Sequence, residues 1–406
     1  MFSRNQSGVA HFLLLVVTVV VVGSIGYFVY SRSKVQNQTI TKTSNKAKSF
    51  GKHWDKLIDK ALEPVECPVT PKAQLSPTHY KGPLIDAHYH IPSLPDGGPS
   101  EDYSQETSGK DTNVQPLLAI NSSISRIVCT MEREGTRGVF AWFSVFPEID
   151  EQSVELVRRV MEKYSDKFVP FIMPPDSDDK PDGSPTVNAK TLTKMLDYEP
   201  GLFKGYGEIG LYARKGGSKE LPPDNKRLLD IYPVVRANNL MVFFHLGEGQ
   251  QASFEKVLRA NRDINFLFHG DQLIPYGVDG KQDLSHIEEI LTRNPNAYYG
   301  VDELYGDDFI LRPEVGKQEF LAHFDNYEPL LEEDVATWKG FIERHSNQVM
   351  WDTDRGWSSP WSMEIEAGLQ LTDYARAFIG RLDPNVQEKY AYKNAERLLS
   401  NSVKDN

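Results

Sequence analysis

From residue 84 onward the chain alternates short apolar runs with longer stretches whose apolar positions recur at helical spacing. The runs are PLIDAHYH, GVFAWFSV, KFVPFIMP, LFKGYGEIGL, LMVFFHLG, INFLFHG, AYYGVDEL and QVMWDTD, eight in all. Their brevity and their Val, Ile, Phe and Tyr content predict strands buried on both faces. Segments such as EQSVELVRRVMEKY, NKRLLDIYPVVRAN, QASFEKVLRAN, LSHIEEILTRN and DVATWKGFIERH fall between them and predict helices. Strands alternating with helices read as βα units on a parallel sheet, and eight of them predict an α/β fold of the closed (β/α)₈ TIM-barrel type, with an open doubly wound sheet as the alternative. Two irregular stretches, Ser93 to Asn113 and Gly306 to Leu330, follow the first and seventh runs, where a barrel carries active-site loops.

Polar residues able to hold a metal recur where these runs end. His88 and His90 close the first run, Glu208 the fourth, His245 the fifth, His269 the sixth, and Asp352 and Asp354 the eighth. Side chains two apart on a strand share a face, so His88 and His90 are expected to aim two imidazoles at one point. A closed barrel would gather all these donors into one mouth.

The chain resembles the amidohydrolase superfamily, and its amidohydrolase-related branch most of all, from about Leu84 to Leu399. The resemblance is carried by the H-x-H of DAHYH, the histidines of VFFHLG and FLFHG, the aspartate of VMWDTD, the segment SHIEEILTRNPNAYYGVD and the closing EKYAYKNAERLL. It implies metal binding by His88, His90 and His245, with His269 a further ligand or a substrate-polarising group. Asp354, preceded by Thr353, is implied as both ligand and proton shuttle; Asp352 is the weaker choice. Glu208 lies in GEIGL, which is similar to TatD-type nucleases, where that Glu binds metal; a bridging Glu208 would mean two ions rather than one. The superfamily's carbamylated lysine is not evident, Lys204 falling too deep in its run.

The implied cofactor is a divalent ion, Zn²⁺ first and Mn²⁺ second, one or two per site. The implied activity is hydrolysis of an ester, lactone, amide or related bond of a small-molecule substrate. Non-redox decarboxylation is the alternative, with Arg355 a candidate partner for a substrate carboxylate; a catalytically inactive tethered binding protein is the alternative outside enzymes. Tyr89, Trp142, Trp351 and Trp357 are candidates for shaping an apolar pocket.

Charge narrows the partners. Seven Lys/Arg and no acid precede Asp55, leaving 38 basic against 57 acidic residues beyond it, so the expected domain has no basic field for nucleic acid. Two cysteines, Cys67 and Cys129, are too few for a disulfide framework; one bridge between them is the alternative to the expected pair of unrelated thiols.

The N-terminal region divides the chain further. Residues 1–11 are a short polar start, and 12–30 run without a charge for about the length that spans a bilayer, an expected uncleaved anchor. Residues 31–82 read as a stalk and Pro-rich lead-in, and 83–402 as the barrel. Basic residues after the span favour a cytoplasmic domain, whereas the short N-terminus and the triplets at Asn37 and Asn121 favour export. The expectation adopted is a single-pass membrane protein with the barrel on the extracytoplasmic side.

Overall fold

A computed structural model describes residues 49–68, 75–94, 122–174, 183–213, 219–276, 282–304, 315–356 and 360–401. Each of the eight apolar runs contains a strand: β1 (Leu84–Ile91), β2 (Thr136–Ser144), β3 (Phe168–Met173), β4 (Gly205–Gly210), β5 (Met241–His245), β6 (Phe266–His269), β7 (Ala297–Val301) and β8 (Val349–Trp351). They form one parallel sheet in chain order. Just beyond β8 the sheet meets its first strand: Tyr89 bridges Arg355, and the His90 N–H donates to the Arg355 carbonyl at 2.9 Å. The result is the α/β barrel expected from the run count.

Helices precede, separate and follow the strands: α1 (Lys52–Ala61), α2 (Ile124–Glu134), α3 (Asp150–Tyr164), α4 (Ala189–Asp197), α5 (Lys226–Ala237), α6 (Gln251–Ala260), α7 (Ser285–Arg293), α8 (Lys317–His323), α9 (Glu328–Arg344), α10 (Ile365–Gly380), α11 (Pro384–Glu388) and α12 (Asn394–Asn401). Capping fixes several starts. Ser123 accepts from the Arg126 N–H and Asn188 from the Thr191 N–H, and Gly135 ends α2 in the left-handed region at φ 80°. The second irregular stretch is not structureless, since α8 and the start of α9 lie within it; most of the first lies outside the described residues.

Two apolar layers follow from the alternation of strand side chains. Ile85, Phe140, Trp142, Phe171, Phe243, Leu267 and Met350 fill the barrel interior, and Ala395 and Leu398 of α12 join them. Asn394 fixes that helix against β8 by donating its amide to the carbonyls of Ser346 (3.0 Å) and Val349 (2.8 Å). The barrel is therefore filled at the end where β8 begins, and its chemistry is confined to the other, where the strands finish. Outward residues such as Val139, Ile172, Phe244 and Phe268 pack under the helices; burying each aliphatic or aromatic side chain of this kind contributes about 1.5–3 kcal/mol.

Three expectations change. Cys67 and Cys129 form a disulfide, their Cα atoms 5.6 Å apart. The lead-in is packed rather than loose at this point: Leu57, Ile58 and Ala61 of α1 are buried, Arg159 pairs with Asp59 at 2.7 Å, and Lys163 donates to the Leu62 carbonyl at 2.7 Å, which carries Cys67 to α2. Tyr89 and Trp351 belong to the layer between strands and helices, and Trp142 to the barrel interior, so none of the three lines the mouth; Trp357 lies outside the described residues. The single-pass membrane location is withdrawn, because no helix among the described residues is long and apolar enough to cross a membrane. The stretch 12–30 itself lies outside them.

Candidate metal centre

Strand register brings the donors together. His245 and His269 are direct partners across β5 and β6, with ring centroids 4.2 Å apart. His88 and His90 share the inner face of β1, with centroids 5.1 Å apart, and His88 reaches across to His269 at 4.5 Å. Because the backbone beside His90 pairs with Arg355, Asp354 is delivered to the same spot. Asp354 sits in the left-handed region at φ 46°, a conformation that costs most residues energy and that Asp tolerates better than most.

Glu208 enters through a break in pairing between β4 and β5, where the register shifts between Tyr206 and Ile209. Gly207 makes this possible: its φ is +131°, and a Cβ there would lie 2.3 Å from the Phe243 carbonyl oxygen.

The two oxygens of Glu208 face different groups. Oε2 lies 3.3 Å from His88 Nε2 and 3.5 Å from His90 Nε2, and Asp354 Oδ1 lies 3.1 and 2.9 Å from the same two nitrogens. Oε1 lies 3.1 Å from His245 Nδ1 and 3.0 Å from His269 Nε2. Donor atoms of His88, His90, Glu208 and Asp354 form one set close enough to share an ion, and those of Glu208, His245 and His269 a second. His88, His269 and Asp302 form a third such combination.

Electrostatics agree with a site built for positive charge. Burial opposes ionisation of Glu208, but hydrogen bonds from His245 and His269, with the His88 ring close by, hold its carboxyl well below the usual range. Burial likewise opposes a charged His269, yet Asp302 and Glu208 on either side hold it well above an ordinary histidine. His88 moves the other way, its burial outweighing Asp354. Neither ring nitrogen of the fully buried His88 makes a hydrogen bond, although Nε2 is aimed at two carboxylates. A cation between these groups would satisfy that nitrogen, so the donor set fits a divalent metal.

The remaining sequence candidates lie elsewhere. Asp352 is fully buried and points toward Gly300, where an added Cβ would lie 1.7 Å from its Oδ2; burial pushes its carboxyl well above the usual range. Lys204 is exposed and donates to the Gly201 carbonyl at 3.0 Å, so it takes no part in the site. Arg355 does not face the mouth. It is buried against Glu134, at 2.7 and 3.0 Å, with the Tyr89 ring 4.8 Å from its guanidinium carbon.

Three residues beyond the sequence reading join the surroundings. Asp302 Oδ2 accepts from His269 Nδ1 at 2.9 Å, and Gln272 Oε1 lies 2.6 Å from His245 Nε2. Burial would raise Asp302, but His269 beside it draws it down to about 2. Asp86 spans β1 and the β8 exit, its Oδ1 accepting from the His88 N–H at 3.1 Å and its Oδ2 from the Thr353 hydroxyl at 2.6 Å. Burial lifts Asp86 to about 7 against the pull of Arg355. Asp302 was within reach of sequence reasoning, as the acid that ends AYYGVD; nothing in the sequence marks Gln272.

No protein-family model matches the chain, and no curated protein does. Solved structures do. One is an amidohydrolase from Burkholderia multivorans with bound zinc, at 11% identity and TM-score 0.47, over 79% of this chain and 99% of that one. Another is 2,6-dihydroxybenzoate decarboxylase from Rhizobium, at 11% and 0.42, over 79% and 99%. A third is 5-carboxyvanillate decarboxylase from Novosphingobium aromaticivorans complexed with manganese, at 12% and 0.44, over 82% and 100%. At these scores the likeness is one of general architecture, and it spans hydrolases and decarboxylases alike.

Proposed function

We propose that the protein is a metal-dependent hydrolase, cleaving an ester, lactone, amide or related bond of a small molecule, in which two donor groups that both include Glu208 would each hold a divalent cation. The observation that carries this reading is the division of labour between the Glu208 oxygens, Oε2 with His88, His90 and Asp354, Oε1 with His245 and His269. Paired divalent ions held by nitrogen and oxygen donors supply Lewis acidity and make water a better nucleophile at neutral pH. Zn²⁺ suits this donor set, with Mn²⁺ the alternative.

The protein's own groups have distinct tasks in this scheme. His88, His90, His245 and His269 would hold the ions through ring nitrogens. Asp354, at the rim of the site with its side chain 14% exposed, accepts the proton of the attacking water and returns it to the leaving group. The buried Trp142 and Phe243 rings, 5.3 and 4.9 Å from His88, keep bulk water from the inner side. Arg355, the candidate partner for a substrate carboxylate, is paired inward with Glu134 instead.

Elemental analysis of the purified full chain, followed by turnover of ester, lactone, amide and phosphoester panels in ¹⁸O-water, tests the reading. Two equivalents of divalent ion and ¹⁸O in the product are expected. Release of carbon dioxide without ¹⁸O uptake, or full activity after exhaustive chelation, would overturn it.

A further inference from the structure

We infer that Asp302 is a positioning residue that fixes which nitrogen His269 presents to the second cation position; this rests on the two-position reading above. The donor set names His269 as a ligand but does not say how a ring with two nitrogens is kept facing one way.

The geometry supplies the device. Asp302 follows the last residue of β7, on the strand beside β6, and its carboxylate is 2.9 Å from His269 Nδ1. A carboxylate accepts hydrogen bonds, so Asp302 engages the Nδ1 edge of the ring and turns the Nε2 edge to Glu208 Oε1 at 3.0 Å. Both partners are buried, the Asp302 side chain 7% exposed and His269 1%, so water does not compete for the bond. His269 is also wedged between the Phe243 ring at 5.4 Å and the His245 ring at 4.2 Å, which leaves rotation about the ring axis as its main freedom, and Asp302 removes it.

The partner ring is oriented differently. His245 turns Nδ1 to Glu208 and Nε2 to Gln272. The two histidines of this position thus approach the same carboxylate oxygen with different nitrogens, and Asp302 backs the His269 ring. Losing such an outer partner typically weakens metal affinity by about 10–100-fold.

Calorimetric titration of chelator-treated full-length protein with Zn²⁺, compared among the parent, Asp302→Ala and Asp302→Asn, tests the assignment. In Asp302→Ala one of the two equivalents should weaken by about 10–100-fold while the other holds. Asp302→Asn, which keeps an acceptor oxygen of the same size, should recover most of that loss. Long-range ¹H–¹⁵N NMR of histidine-labelled protein should show His269 protonated at Nδ1 in the parent. Unchanged titrations, equal weakening of both equivalents, or a His269 Nδ1 without its proton would each overturn the inference. Failure of the parent to bind any divalent ion would sink the two-position reading instead, and the NMR signal would still decide the role of Asp302.

Discussion

Arg355 and Glu134 form a two-pronged ion pair inside the protein, Nη2 to Oε1 at 2.7 Å and Nη1 to Oε2 at 3.0 Å, one residue along the chain from Asp354. The pair ties the end of α2 to the segment that closes the barrel, so the wall of the site rests on it. Removing one member strands a buried charge: Glu134→Gln should lower unfolding free energy by about 3–5 kcal/mol. Urea unfolding followed by intrinsic fluorescence would measure this. A variant as stable as the parent would show the pair to be unimportant.

Asp354 faces His88 and His90 from a strained backbone position and is the proton carrier in the proposed reaction. Asp354→Asn keeps size and shape but cannot take up a proton. It should reduce kcat by about 10²–10⁴-fold with little change in fold. Steady-state kinetics alongside circular dichroism checks this, and near-parent turnover would rule out the assigned role.

The Cys67–Cys129 bond closes a loop of 62 residues in sequence separation. Loop-closure entropy for that length corresponds to about 4 kcal/mol, with about 2–4 kcal/mol typical in practice. Replacing both cysteines with serine should therefore lower Tm by several degrees, and reducing agent should destabilise the parent but not the double variant. Equal responses of the two proteins to reductant would contradict the bond.

His345, at the end of α9, has its pKa lowered from 6.5, chiefly by burial, with Arg344 adding to the effect and Glu288 opposing it. The folded state therefore binds this proton less readily than the unfolded chain. At alkaline pH neither state is protonated and the residue is neutral in effect. As pH falls through 6.5 the unfolded chain takes up the proton first, so stability declines, levelling off once the folded pKa is passed. His345→Gln should lose that share of the acid sensitivity. Unfolding free energies measured for both proteins from about pH 8 down to about pH 5 would reveal it; parallel curves would refute it.

The order of strands, their parallel pairing and the polar residues that end them were legible in the sequence, because each is a local property. An apolar run bounded by turn residues makes a buried strand wherever it lies, and a polar residue ending such a run must sit at one rim of the barrel. His88, His90, Glu208, His245, His269 and Asp354 could be named on that basis, and the structure brings these six together. Direction and partnership were not local. Arg355 turned away from the mouth because Glu134, 221 residues distant, offers a matched carboxylate under a closed core. Cys67 met Cys129 because α1 docks beside them. Asp302 and Gln272 gained their meaning only from the rings of His269 and His245 beside them. Sequence alone thus determined which side chains reach the rim, through strand periodicity; tertiary packing decided which way each turned and what it met, since hydrogen bonds and ion pairs depend on distances between elements that no local pattern records.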